Sequence, residues 1–323
     1  MDNSLFEIKA PGQDNTNKKA ILTGNSIRII DPEIIKKINS TKLSPSMVAS
    51  MLSSPGDWVV GKFIEPDVTL DSLIFLERGS WFHSIMEEFF KLPVEERTRP
   101  ALKQTIQKVS KSKYPHLIEE QENRDWIIKA VSNYDKAFFD EDSKEKVAEI
   151  FLNGKLQQGI ELFIMGKIGD AKRNCLGFID RLTEGETGLK VHDWKTGAHI
   201  DNFDPNKKIS NSNSFNYWRQ QAFYSLLLQQ KGINVEEAAL IFLCSNPPQK
   251  ILIPIQDEMV IQQTIKDVEK CDKILDSCIE NDYTFPFGAG IWNGWATYLC
   301  GLGNARYPKV NEDKLKSLIQ FGE

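Results

Sequence analysis

The sequence has no apolar run approaching the ~18 residues that cross a bilayer, and its first residues are polar with no signal-peptide core. A cytoplasmic protein without a membrane partner is therefore expected. Cysteine is scarce: Cys175, Cys244, Cys271, Cys278 and Cys300 are scattered, odd in number and free of any C-x-x-C pair. That excludes a disulfide framework or a zinc module, and the five are expected to be small buried apolar residues. Excess positive charge is lacking too. Forty Lys and Arg face 45 Asp and Glu, for a formal net charge of -5, which argues against coating nucleic acid by bulk charge. A protein gripping one strand or one end needs only a local patch. No internal repeat is visible.

What is present reads as a globular chain, 41% hydrophobic and 26% charged over 323 residues, enough for one large core with insertions. Residues 1 to about 26 are polar and suit a loosely ordered arm, with one short strand over Ile27–Ile30 and a helix opening at Asp31-Pro32. Ser44-Pro45 starts a helix that stops at Ser53-Ser54-Pro55-Gly56. Gly79 to Phe90 predicts an amphipathic helix, because Phe82, Ile85, Met86, Phe89 and Phe90 recur at helical spacing. It places His83 and Glu87, four apart, on one face. Residues 100–153 read as a charged helical insertion. Strands are expected over 157–165, 176–183, 189–195, 238–244 and 251–255, and helices over 215–230 and 256–281. The tail from Phe285 has no clear assignment.

The chemistry concentrates in Val191-His192-Asp193-Trp194-Lys195-Thr196-Gly197, joined by a short turn to Cys175-Leu176-Gly177-Phe178-Ile179-Asp180-Arg181-Leu182. Side chains alternate along a strand, so Asp193 and Lys195 share one side and His192 and Trp194 the other. Asp180 on the neighbouring strand can join them. Two carboxylates and an amine at the end of a small sheet suit a divalent metal that hydrolyses a phosphodiester. Asp180-Arg181 also reads as an ion pair at a strand end, and Gln221 and Tyr224 lie in a helix whose neighbours are core, with Gln220 an alternative to Gln221. Trp58 and Trp81 are expected in the core.

In order, Gly79-x-x-x-His83-x-x-x-Glu87, Gly177-x-x-Asp180-Arg181, Asp193-x-Lys195-Thr196-Gly197 and Gln221-x-x-Tyr224 resemble the PD-(D/E)xK nuclease superfamily, and within it the RecB- and Cas4-like exonuclease branch. The resemblance implies an α/β fold: a restriction-endonuclease-like core with a small mixed central sheet flanked by helices and a helical insertion. It implies an N-terminal arm over 1–43, a nuclease domain over 44–300 with the insertion at about 100–153, and a tail over 301–323. By it, His83, Asp180 and Asp193 would hold Mg²⁺ or Mn²⁺, Lys195 would position water or stabilise the phosphate, and Glu87, Gln221 and Tyr224 would support them. Lys207, Lys208 and Arg219 flank the polar loop after the Lys195 strand, and read either as contacts to phosphates of the DNA or as the ordinary charges of a solvated loop.

Relatives of this branch often carry an iron–sulfur cluster. Here Ser54-Pro55 stands where their Cys-Pro pair would be and the remaining cysteines lack tight spacing, so no cluster is expected and the aromatics around Trp292 and Trp295 would fill the space. No Walker A loop accompanies the motifs, so a helicase or single-strand annealing protein would be a separate partner. The activity implied is metal-dependent hydrolysis of DNA, exonucleolytic, in recombination, repair or phage DNA processing. Two alternatives stand beside it: a nucleic-acid-binding or assembly subunit that keeps the fold without turnover, and a restriction-type endonuclease.

Overall fold

The computed structural model describes residues 18–64, 70–152, 154–197, 212–289, 294–302 and 312–322. Lys207, Lys208 and Trp292 lie outside these. In chain order the strands are β1 (Ala20–Thr23), β2 (Ser26–Ile29), β3 (Glu149–Leu152), β4 (Lys155–Gln158), β5 (Ile160–Gly166), β6 (Cys175–Glu184), β7 (Leu189–Lys195), β8 (Val235–Phe242), β9 (Gln249–Leu252), β10 (Thr284–Pro286) and β11 (Ile319–Phe321). The chain divides into two compact units: one of Met1–Thr41, Ser50–Thr69 and Lys273–Glu323, the other of Lys42–Ala49 and Leu70–Asp272.

In the first unit the strands form one sheet in the order β10-β2-β1-β11. Where the sequence suggests an arm with a single strand, residues 20–29 form a hairpin about Gly24, whose φ of +53° is easy only for glycine. β11 then pairs parallel to β1. Ser54 caps the helix Pro55–Val59 by accepting from the Asp57 N–H, and accepts again from the Gly288 N–H at 2.9 Å. This is a structural duty for the residue at the Cys-Pro position.

The second unit holds the five-stranded sheet β5-β6-β7-β8-β9. It is mixed, as the resemblance implies: β5, β6 and β7 run antiparallel, β7 and β8 parallel, β8 and β9 antiparallel. The parallel step needs a crossover, and helix Ser212–Gln229 lies in it. Ala238–Phe242 is buried at every position, as expected of a strand covered on both faces.

Helix Leu70–Phe90 is nine residues longer than the apolar stripe predicts. Its first turns are invisible to periodicity because Phe75 and Leu76 are exposed. Its second half buries Trp81, Phe82, Ile85, Met86, Phe89 and Phe90 against helices Arg99–Lys113 and Gln121–Ala137 and against Trp194, Ile241 and Leu243. The insertion is helical only to Asp142, after which β3 and β4 pair as a hairpin. Four-residue strands in a charged context are too short to interrupt a helical reading. No helix among the described residues is long and apolar enough to cross a membrane.

Candidate active site

The site forms where β6 and β7 part. Their ladder runs from Glu184↔Leu189 to Arg181↔His192 and goes no further, so Asp180 and Asp193, the next pair along, are released from it. The Trp194 N–H donates instead to Asp180 Oδ2 at 2.9 Å. Trp194 works twice: its ring is buried against Phe90 at 5.7 Å, while its main chain faces the site. The His83 ring lies across from it, Nδ1 at 3.4 Å from Asp180 Oδ2 and Nε2 at 3.0 Å from the Trp194 carbonyl oxygen. Helix Leu70–Phe90 can come this close because a Cβ at Gly79 would stand 3.1 Å from Thr196 Oγ1. A Cβ at Gly177 would collide with the Tyr224 ring, so both motif glycines are close-approach positions.

Asp193 belongs to a second network. Lys195 Nζ is 2.5 Å from Asp193 Oδ2 and donates to Gln220 Oε1 at 3.2 Å. Gln220 Nε2 donates to Asp193 Oδ1 and to the Tyr224 hydroxyl, each at 3.1 Å. Gln220 therefore takes the contacts expected of Gln221. A helix turns about 100° per residue, and that rotation sends Gln221 into the interior, fully buried.

Glu161, on β5, is a site residue that the sequence reading misses. The pairs Ile160↔Arg181 and Leu162↔Ile179 place it across from Asp180, and its φ of +45° interrupts the ladder there. The one signal is a carboxylate between Ile160 and Leu162 in an apolar strand. Donor atoms of His83, Glu161 and Asp180 lie within 4.8 Å of one another. One imidazole, two carboxylates and the nearby Trp194 carbonyl are a donor set that fits a hard divalent cation. His83 and Glu161 line a cleft of about 450 Å³ with Ser80, Ser84 and Glu87. Glu87 faces that cleft, but its carboxylate is paired with Lys91 at 2.6 Å.

The electrostatics describe a pocket that draws positive charge. Burial alone would lower His83, but the Asp180 carboxylate, with Asp193 behind it, raises it to about 9. Burial lifts Glu161 to about 7, with Asp180 adding to the rise. Burial likewise pushes Asp193 to about 6 against the pull of Lys195. Burial would raise Asp180 too, but His83, Lys195 and the Trp194 N–H together outweigh it and bring this carboxylate down.

One expected role changes, and one expected ion pair has other partners. Arg219 is buried, ion-paired with Asp267 at 2.6 Å and set over the Phe215 ring; a guanidinium so committed has no face left for phosphate. Arg181 is fully buried, 3.0 Å from Asp142 Oδ2 and 3.2 Å from Glu145 Oε2, bonded to His192 Nδ1 and set over the rings of Phe90 and Trp194. Asp142, Glu145 and His192 have metal-like spacing, but the guanidinium already supplies the cation at their centre. Trp58 and Trp81 are core residues, as expected.

No curated protein matches the sequence. Among solved structures it is similar to the crystal structure of a candidate exonuclease from Eubacterium rectale, at 12% identity over 80% of this chain and 89% of that one, with a TM-score of 0.49. The sequence model of the PD-(D/E)XK nuclease superfamily matches residues 42–291. That span contains the helix of His83, the parting strands of Asp180 and Asp193, Lys195 and the helix of Gln220 and Tyr224, and the chain belongs to the PD-(D/E)XK nuclease superfamily.

Proposed function

We propose that this nuclease is a metal-dependent deoxyribonuclease of the RecB- and Cas4-like branch that degrades DNA from a free end, in recombination, repair or phage DNA processing, with 44–300 as its nuclease domain. The observation that carries the reading is the convergence of His83, Glu161 and Asp180 donor atoms beside the Asp193–Lys195–Gln220 network. His83, Glu161 and Asp180, whose donor atoms converge, would hold Mg²⁺ or Mn²⁺, with Asp193 as the further ligand that the resemblance implies. A cation held there supplies Lewis acidity to the scissile phosphate and acidifies the attacking water. The chain's own groups do the rest. Lys195, fixed by Asp193 and Gln220, places its ammonium where negative charge grows on the phosphate. Tyr224 holds Gln220 in place. A separate helicase or annealing protein would supply or capture the strand.

End-labelled linear DNA incubated with Mn²⁺ or Mg²⁺ is expected to shorten from its ends, while closed circular DNA stays intact and Asp193→Ala protein does nothing. Cutting of the circle would favour the restriction-type reading. Linear DNA left equally intact by wild type and Asp193→Ala would favour a subunit without turnover.

The site also predicts how stability follows pH. In EDTA, the His83 contribution is complete below 6.5 and is lost as pH rises through about 9, because the folded state prefers the charged ring. Glu161 and Asp193 prefer their neutral forms in the fold, so their contributions are present below about 4 and gone by about 7 and 6. The melting temperature in EDTA should fall from pH 5 to 9, and its increase on adding Mn²⁺ should grow over that range as the ligands shed protons. A Mn²⁺ shift that is flat with pH would contradict the ligand assignment.

A further inference from the structure

The network of Lys195 and Gln220 has a second opening. A groove of about 280 Å³, at the small end of ligand-sized pockets, is lined by Ser44, Ser46, Phe178, Tyr217, Gln220 and Tyr224. It shares no lining residue with the His83–Glu161 cleft among the described residues, yet Gln220 connects it to Asp193 and Lys195. Phe178 precedes Asp180 on β6 by two residues, about 7 Å along a strand. Its side chain is 53% exposed, and Phe163 backs it at a ring distance of 5.3 Å. Tyr217 carries Lys195 Nζ over its ring at 5.2 Å. Single exposed rings are common on protein surfaces, but this one lies in a groove two residues from Asp180, where the substrate of a nuclease brings flat aromatic faces.

Resting on the reading of this site as a DNA nuclease, we propose that the groove is a nucleotide subsite: the base next to the scissile phosphate, on the Lys195 side, stacks on Phe178, and the hydroxyls of Ser44 and Ser46 meet its sugar-phosphate. The charge pattern agrees, since Glu87 and Glu161 line the other cleft while the groove reaches the Lys195 ammonium through Tyr217 and Gln220. Stacking reads no sequence, because every base has a π-face, so the subsite would grip any nucleotide.

Binding tests this without turnover. In the Asp193→Ala background, Phe178→Ala should weaken binding of a labelled single-stranded oligonucleotide about 5- to 150-fold by fluorescence anisotropy, the range that loss of one base–aromatic stack gives. Phe178→Trp should retain binding and add an indole emission that DNA quenches. An oligonucleotide with one abasic position, walked along the strand, should lose the quench at a single position. If Asp193→Ala protein binds DNA, but adding Phe178→Ala leaves binding unchanged and the emission added by Phe178→Trp is unmoved at saturation, the subsite is wrong and the nuclease reading stands. If wild type neither binds nor cuts DNA, both fall.

Discussion

Asp193→Asn is expected to slow cleavage by at least about 10³-fold, a barrier increase of about 4 kcal/mol, while leaving the melting temperature within a few degrees of wild type. The two halves have one cause. Asp193 sits in a buried position that raises it to about 6 and makes its charge costly to the fold. Removing the charge recovers its desolvation energy, and the Lys195 ammonium left behind still has the Asp180 carboxylate as a counter-charge; together these offset the loss that stranding a buried partner otherwise brings. The asparagine keeps the shape and the oxygen that Gln220 bonds. What disappears is the anion that, on the proposed reading, would help hold a cation, and that fixes the Lys195 ammonium at 2.5 Å. Lys195→Met should cost about 10²- to 10³-fold, the loss seen when one preorganised charge-stabilising group is deleted. An Asp193→Asn enzyme keeping a tenth of the wild-type rate, measured in single turnover, would remove Asp193 from the machinery.

Arg181→Ala is expected to do the opposite: to destabilise the fold by about 3–5 kcal/mol, on the order of 10 °C in melting temperature. Arg181 is fully buried, and with its guanidinium gone Asp142 and Glu145 are left without their shared cation. Burial already raises Glu145, so its charge is costly without the guanidinium. His192 is held well below its usual value by burial and by the Arg181 charge, so it is neutral and accepts the Arg181 bond. Replacing Arg181, Asp142 and Glu145 together by apolar residues of similar volume should recover most of the loss, because the cost comes from stranded charges. A melting temperature unchanged in Arg181→Ala would show that the cluster is solvated after all.

These neighbours, Asp180 and Arg181, show what a linear pattern can carry. Alternation along a strand separates them onto different sides from the sequence alone, and it does the same for Asp193 and His192. The pattern does not reveal what waits on each side. His83 is 97 residues upstream of Asp180 in the sequence but 3.4 Å away in space, and only the motif order points to it. Gln220 and Gln221 differ by one step of helix rotation, which an isolated helix with apolar residues on several sides leaves undetermined. Arg219 reads as a phosphate contact because its partner, Asp267, comes from a helix 48 residues later.

The sequence by itself determined the mixed α/β core, the strands that bear Asp180 and Asp193, and the amphipathic half of the His83 helix. These are encoded by periods of two and 3.6 that act over a few residues. Tertiary structure decided where β6 and β7 separate, that Glu161 lies across from Asp180, that Gln220 rather than Gln221 reaches Lys195, and that Arg181 and Arg219 are spent on buried carboxylates. Each of these depends on register between strands or on a partner distant in the chain, and neither leaves a local period to read.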